Sequence, residues 1–360
     1  MSRKHIIASG AVILVLLFLR IVSSPVNTLE QGLLDMRYHV RGQVPADTNI
    51  VILYFDNDDI SSLGGFPLKR NIYALLTNVL TKSGAKAIAF DIVFADTSIE
   101  YSEHDDLFAG TAAASGRVIF SSYFDRVDTK ELSSPTLVPN SFPALAKMSR
   151  PVLFGTRLQL PYPKLLQAAA GIGHLNTTVG SPLELPLLFE ANGRSVPAFG
   201  LEVLRVFAGV DRSKVRLEDN AVSLPVAEGI ISVPMTSDGT TSLNMPGPLS
   251  SFRHYSCVEV LQSFANDSAS LSTLRGKVVF VSVIGAGRGN FVATPFDGQF
   301  PAVGLHATLI DNALQGRFLK RVNPFVGQVL VPVILCMILI VLIQRFGNSR
   351  GGVFAVHERR

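Results

Sequence analysis

Four consecutive polar residues, Asp56 to Asp59, directly follow a strongly apolar segment of the chain. Asp56 and Asp58 form a D-x-D pair, which can supply a nucleophile and an acid and can hold Mg²⁺ during phosphoryl transfer. Acidic residues after a strand also form turns and cap helices. We expect this second role, because no strand ending in Ser or Thr and no later acidic pair completes such a site.

A second candidate for chemistry is the glycine series Gly285, Gly287 and Gly289, which superficially resembles a dinucleotide-binding loop. That fingerprint requires a glycine where Asn290 stands, so we expect a tight turn instead. The seven histidines lack metal-ligand spacing, and no G-x-S-x-G nucleophile elbow occurs. The sequence therefore predicts no cofactor, no metal site and no catalytic residue.

Asp91 lies inside another apolar run, and Arg70 or Lys86 is its expected partner because buried carboxylates are usually paired. In α/β proteins, ligands bind outside the carboxyl ends of the strands. We therefore predict a ligand surface at that edge of the sheet. Its candidate residues are Asp56, Asp58, Arg70, Asp91, Arg288 and His306.

The elements that would position these residues alternate between strand and helix. Short continuous apolar runs predict buried strands, and helical spacing of apolar residues between them predicts covering helices. The clearest segments are strands at residues 49–56, 86–94 and 277–284 and helices at residues 69–83 and 303–314. The predicted fold class is α/β, with a mostly parallel sheet, flanking helices and a β-rich insertion at residues 182–246.

The composition is unusually apolar, with 48% hydrophobic residues, 17% charged residues and a mean hydropathy of +0.34. The excess is concentrated in residues 6–22 and 325–343, close to the roughly 20 residues that span a bilayer. We expect one transmembrane helix at each place. A cleaved signal peptide is the alternative for the first segment.

The net charge of +4 is distributed unevenly: residues 23–324 carry −2, and the two ends carry +6. This excludes a nucleic-acid surface on the central part and, with basic residues at both ends, predicts cytoplasmic termini. The two cysteines are too few for a disulfide scaffold. The predicted organisation is a cytoplasmic N-terminus (1–5), a transmembrane helix (6–22), an extracytoplasmic domain (23–324), a transmembrane helix (325–343) and a cytoplasmic tail (344–360).

A series of short motifs over about residues 26–320 resembles the CHASE2 domain, an extracytoplasmic sensory module of bacterial receptors. It begins at Leu34-Asp35-Met36-Arg37 and continues through Phe90-Asp91-Ile92-Val93-Phe94 to Thr294-Pro295 and His306-Ala307. The family usually has W-P-W where this chain has Phe66-Pro67-Leu68. A ligand contact shared at that position is therefore not expected.

The resemblance implies a non-enzymatic module, anchored in the inner membrane, that senses an external signal for an adenylate cyclase or kinase. Residues 344–360 are too short for a catalytic domain, so the output is expected in another chain or lost by truncation. The expected partners are the membrane, an unknown extracytoplasmic ligand and a cyclase or kinase; a homodimer is left open. The alternatives are an exported metal-dependent phosphatase using Asp56 and Asp58, and an envelope interaction protein without a small ligand.

Overall fold

The structure is a computed structural model. It describes residues 24–98, 100–128, 142–143, 153–178, 183–191, 194–218, 220–236, 238–285, 287, 289–319, 333–334 and 337–338. The chain divides into two compact units, one of residues 42–319 and one that takes in residues 1–41 and 320–360. In the latter unit, helix α1 comprises Ser24–Arg41.

The larger unit alternates helices and strands along most of its length. Its described helices are α2 (Asn57–Ser62), α3 (Arg70–Lys82), α4 (Ser102–Ser115), α5 (Pro163–Ala168), α6 (Phe199–Ala208), α7 (Cys257–Asn266) and α8 (Val303–Gln315). Its described strands are β1 (Ile50–Phe55), β2 (Ala87–Phe90), β3 (Val118–Asp128), β4 (Phe142–Pro143), β5 (Phe154–Gln159), β6 (Gly171–His174), β7 (Glu184–Pro186), β8 (Leu188–Ala191), β9 (Arg194–Pro197), β10 (Arg216–Glu218), β11 (Ala221–Val226), β12 (Gly229–Pro234), β13 (Thr240–Ser242), β14 (Arg253–Ser256), β15 (Val278–Val283), β16 (Phe291–Val292) and β17 (Phe300–Pro301).

The main sheet is mixed. Strands β14, β1, β15, β2 and β3 lie side by side in that order, with β6 also beside β3, and all of these pairs are parallel. Strand β3 then continues into antiparallel pairing with β5, and β8, β9 and β4 extend that side of the sheet. Smaller antiparallel sheets formed by β10 to β12 and by β7 with β13 account for much of the β-rich segment.

Two faces of the sheet are covered by different helices. Val279, Val281 and Val283 of β15 pack in a core with residues of α3, α4, α5 and α7. Because side chains alternate along a strand, Phe280 points to the opposite face. There it contacts Phe199 of α6, which in turn contacts His306 of α8. Helices α6 and α8 therefore cover the second face.

The predicted α/β class is confirmed, with a sheet that is mixed. The prediction of two transmembrane helices is contradicted, because no helix in the described ranges is long and apolar enough to cross a membrane. Helix α1 has the length, but Glu30, Asp35 and Arg37 interrupt its apolar character.

Most of the predicted terminal segments lie outside the described residues. This applies to residues 1–5, 6–22 and 344–360. Of residues 325–343, the structure describes only 333–334 and 337–338, which are helical.

Candidate functional site

The carboxyl ends of β1, β15 and β2 meet at one edge of the sheet, where β15 lies between the other two. The chain leaves β1 and β2 toward helices of the first face, whereas after β15 it continues to α8 on the second face. Connections that diverge in this way open a crevice beyond the strand ends, the usual ligand position in α/β sheets. The geometry thus singles out the ends of these three strands.

Asp91 and Ser282 form the polar contact at this point. The Ser282 hydroxyl donates a hydrogen bond of 2.8 Å to the Asp91 carboxylate, and the Asp91 backbone N–H donates to the Val281 carbonyl at 2.9 Å. Asp91 is half-buried, and this burial raises the pKa of its carboxyl group to about 7, although the Ser282 hydrogen bond opposes the shift. The group can therefore donate or accept a hydrogen bond near neutral pH.

Neighbouring strands extend this contact into a polar row. Tyr54 is the register partner of Ser282. Phe90 pairs with Phe120, and Asp91 and Ser121 each directly follow one member of this pair. Ser121 is 0% exposed, and its hydroxyl has no hydrogen-bond partner in the described part of the chain. A buried hydroxyl without a partner is costly, and it marks a place where a polar group would be stabilised.

Asp56 and Asp58 occupy the start of helix α2. The Asp56 carboxylate accepts the backbone N–H of Asp59 at 2.8 Å and so caps the helix. Asp58 is exposed in the first turn, where a negative charge is favourable near the helix N-terminus. These contacts give both residues the capping and helix-start roles that the sequence predicts.

Asp59, rather than Asp56 or Asp58, is the buried acid of this segment. Both of its carboxylate oxygens lie within hydrogen-bond distance of the Ser256 hydroxyl, at 2.7 and 2.9 Å. Ser256 also caps α7, where it forms a capping box with Glu259. Burial raises the pKa of Asp59 above its usual range, against the effect of the Ser256 hydrogen bond. This contact ties the end of β1 to the start of α7.

Arg70 is not the partner of Asp91, and that expectation is wrong. Its Nε atom lies 3.6 Å from Asp105, and its guanidinium group stacks 4.6 Å above the Phe94 ring. The other expected partner, Lys86, lies 4.8 Å above the Phe207 ring. Asp91 has a hydrogen-bond donor in the Ser282 hydroxyl and pairs with neither cation.

His306 is buried between α6 and α8. Its Nδ1 atom accepts the N–H of Gly200 at 3.2 Å, and its ring meets Phe199 edge to face at 5.5 Å. Burial lowers the pKa of His306 to about 3. His174, which is 0% exposed, has a pKa well below its usual range because of burial and, to a lesser extent, the nearby His306. Both rings are therefore neutral at physiological pH.

Arg288, the last predicted site residue, lies outside the described residues. Gly285, which precedes it, sits against α2: a Cβ atom at this position would lie 2.7 Å from the Asn57 side-chain oxygen. Gly285 is therefore required for close packing beside α2, whereas Gly287 has a positive φ of 72° and open space around it. Among the residues that the structure describes, no group of three or more His, Cys, Asp or Glu side chains could hold a metal ion.

Neither Ser282 nor Ser121 was predicted from the sequence. Ser282 is a single serine inside the apolar strand β15, and Ser121 is the first of two adjacent serines that follow the apolar start of β3. This contrast with the apolar neighbours is the signal that the sequence offers. Which serine faces which carboxylate depends on strand order. The nearness of Asp91 to Ser282, 191 residues apart, therefore emerges only from the fold.

Comparison with known proteins supports the resemblance noted in the sequence. The family model of the CHASE2 domain matches residues 11–343, nearly the whole chain. No curated protein and no solved structure gives a match. The matched range includes every strand and helix described above for the larger unit. The chain therefore belongs to the CHASE2 domain family of extracytoplasmic sensory domains.

Proposed function

We propose that this chain is the signal-sensing module of a bacterial membrane receptor, that its domain faces the extracytoplasmic side, and that another polypeptide carries the cyclase or kinase output. The observation that carries the proposal is the family match over residues 11–343. A sensory domain needs no catalytic group of its own, since it acts by a difference in ligand affinity between two conformations. The module is accordingly proposed to be non-enzymatic.

The proposed ligand site is the crevice at the ends of β15 and β2, with Asp91, Ser282 and Ser121 as its polar floor. Three features support this choice. The connections diverge there, Asp91 carries a half-buried carboxyl group, and the Ser121 hydroxyl is buried without a partner among the described residues. The ligand class that fits is a small polar molecule that exchanges hydrogen bonds with a carboxyl group and a hydroxyl group.

The other predicted residues have different places in this proposal. Asp56, Asp58 and Arg70 belong to the segments that follow β1 and form the rim on that side. His306 is 1% exposed and supports the neighbouring wall through Gly200 and Phe199. A phosphatase built on Asp56 is less well supported, because its carboxylate is engaged in capping α2.

Ligand binding can be tested by thermal unfolding of the purified full chain with separate panels of amino acids, amines, sugars and nucleosides. We expect at least one compound to raise the Tm of the wild type and of an Asp106→Asn control, whose exposed carboxylate lies on α4. The same compound should leave the Tm of Asp91→Ala and Ser282→Ala unchanged. A shift that persists in both variants would place the ligand elsewhere, and no shift with any panel would count against a small ligand of these classes.

The location can be tested separately in intact bacterial spheroplasts that express the full chain. An Asp106→Cys variant should react with a membrane-impermeant maleimide, because residue 106 is exposed on α4. Cys257 is 0% exposed and serves as the internal control for unreactive thiols. Labelling of the introduced thiol only after lysis would contradict the extracytoplasmic assignment.

A further inference from the structure

A buried polar cluster joins the segment by which the chain enters the larger unit to the segment by which it leaves. Its centre is Asp311, which is 0% exposed and lies near the C-terminal end of α8. The Asp311 carboxylate accepts the Asp47 backbone N–H at 2.8 Å from the entering segment. It also accepts hydrogen bonds from Arg317, at 2.9 Å from Nε and at 2.5 and 2.6 Å from Nη2, on the leaving side.

Further contacts close the same junction from the entering side. Arg317 donates from Nη2 to the Pro45 carbonyl at 3.1 Å, so its guanidinium group touches both segments. The Gln315 amide donates to the Asp47 carboxylate at 2.6 Å. Residues separated by more than 260 positions in sequence are thus linked directly at the two ends of one unit.

A pair of asparagines completes the cluster. Asn312, which is 0% exposed, accepts the Asn244 backbone N–H at 2.7 Å and donates to the Asn244 carbonyl at 2.9 Å. The Asn244 side chain in turn donates to the Arg317 carbonyl at 2.8 Å. Nearby, the Val44 N–H donates to the Pro246 carbonyl at 2.8 Å. The segment at residues 244–246 therefore bridges the entering and leaving segments.

The ion pair and the hydrogen bonds of this cluster fix the relative position of its segments more than they stabilise the fold. A buried ion pair gains little net stability over apolar residues of similar size, because both charges lose their hydration. A fully hydrogen-bonded network does, however, permit only one relative position of its members. The Asp311 and Arg317 pair also uses a planar guanidinium group, which fixes direction as well as distance.

Helix α8 connects this cluster to β15, against which it packs. The helix begins at Val303, in the chain that follows Ser282 and β15, and reaches Asp311 in its second half. At 1.5 Å per residue, its 13 residues span about 20 Å, close to the height of the sheet. A displacement of β15 would therefore be carried to the junction by a rigid helix that packs against it.

We propose that Asp311 and Arg317, with Asp47, Asn312 and Asn244, form a clamp that holds the entering and leaving segments together, so that both ends of the sensory unit shift as one. Use of the clamp in signalling rests on the proposed sensory function, whereas the clamp itself does not. It acts by positioning, and none of its residues touches the proposed ligand. Helix α8 carries Asp311 and Asn312 of the clamp and packs against β15, the strand that holds Ser282.

The clamp can be tested by hydrogen exchange and mass spectrometry on the purified full chain without any ligand. The double variant Asp311→Leu/Arg317→Met replaces both charges with apolar groups, and Asp311→Asn is a milder change that keeps an acceptor for Asp47. We expect exchange in peptides covering residues 43–49 and 311–319 to become about tenfold faster or more in the double variant. Peptides covering β15 should keep their wild-type protection.

Asp106→Asn is the matched control. It removes an exposed ion pair with Lys164 that lies away from the entering and leaving segments. Unchanged exchange at residues 43–49 in the double variant would overturn the clamp. Equal loss of protection throughout the unit in both Asp311 variants would also overturn it, because the cluster would then be a general part of the core. Failure to find a ligand would affect the proposed function and leave this result intact.

Discussion

The raised pKa of Asp91 makes the pH dependence of stability a direct test of the candidate site. In the folded chain this carboxyl group keeps its proton up to about pH 7, whereas in the unfolded chain it loses the proton near its ordinary value of 3.8. Between these values the unfolded state binds fewer protons than the folded state. The free energy of unfolding therefore falls as pH rises through this window, and the contribution of the protonated group is complete only below about pH 3.8.

The magnitude follows from about 1.4 kcal/mol per pH unit for one proton. The difference between the two pKa values corresponds to about 4 kcal/mol in total, and about 2 kcal/mol of it is lost between pH 5 and pH 7. Asp91→Asn removes this titration and retains a side chain of similar shape. Relative to the wild type, the variant should therefore gain about 2 kcal/mol in free energy of unfolding when pH rises from 5 to 7.

The assay is urea unfolding of the purified full chain at pH 5, 6 and 7, followed by far-UV circular dichroism. Asp106→Asn, which removes an exposed carboxylate, reports the effect of losing one surface charge. Parallel pH curves for the wild type and Asp91→Asn would refute the reasoning, since they would mean that Asp91 titrates alike in both states. A difference of opposite sign would mean that an unrecognised cation stabilises the Asp91 carboxylate.

Three further predictions concern the elements around the site. Because the folded pKa of His306 is about 3, the free energy of unfolding of the wild type should fall as pH falls from 6.5 toward 3. His306→Asn should reduce this slope by about 1.4 kcal/mol per pH unit. An unchanged slope in urea unfolding at several pH values would contradict burial of a neutral ring. Ser256→Ala should lower the free energy of unfolding by about 1 to 2 kcal/mol, since it removes the α7 cap and a hydrogen bond to buried Asp59, and Ser263→Ala, away from that cap, is the comparison. Gly200→Ala should cost about 1 to 3 kcal/mol in chemical denaturation, because its Cβ would lie 2.8 Å from the His306 carbonyl oxygen; full stability would mean that α6 and α8 can separate without cost.

Local pattern predicted several elements well. The apolar run at residues 277–284 corresponds to β15 at Val278–Val283, and the helical spacing at residues 303–314 corresponds to α8 at Val303–Gln315. Both signals are short-range, since strand and helix periodicity follow from which side of one element is buried. Asp56 as a helix cap was predictable for the same reason, because capping involves residues three positions apart.

The two terminal apolar segments lie largely outside the described residues. The runs at residues 6–22 and 325–343 predicted transmembrane helices, and the described residues contain no helix that is long and apolar enough to cross a membrane.

The sequence by itself determined the family, the α/β alternation and the positions of the acidic residues that end strands, because each of these depends on neighbours along the chain. Tertiary structure alone decided that β15 lies between β1 and β2, which places Ser282 beside Asp91. It likewise brought Asp47 to Asp311 across 264 residues. The physical reason is that a helical crossover can skip a position in the sheet, which a later strand then occupies. Which strand occupies it depends on burial over the whole sheet, and the periodicity of one segment carries no information about that total.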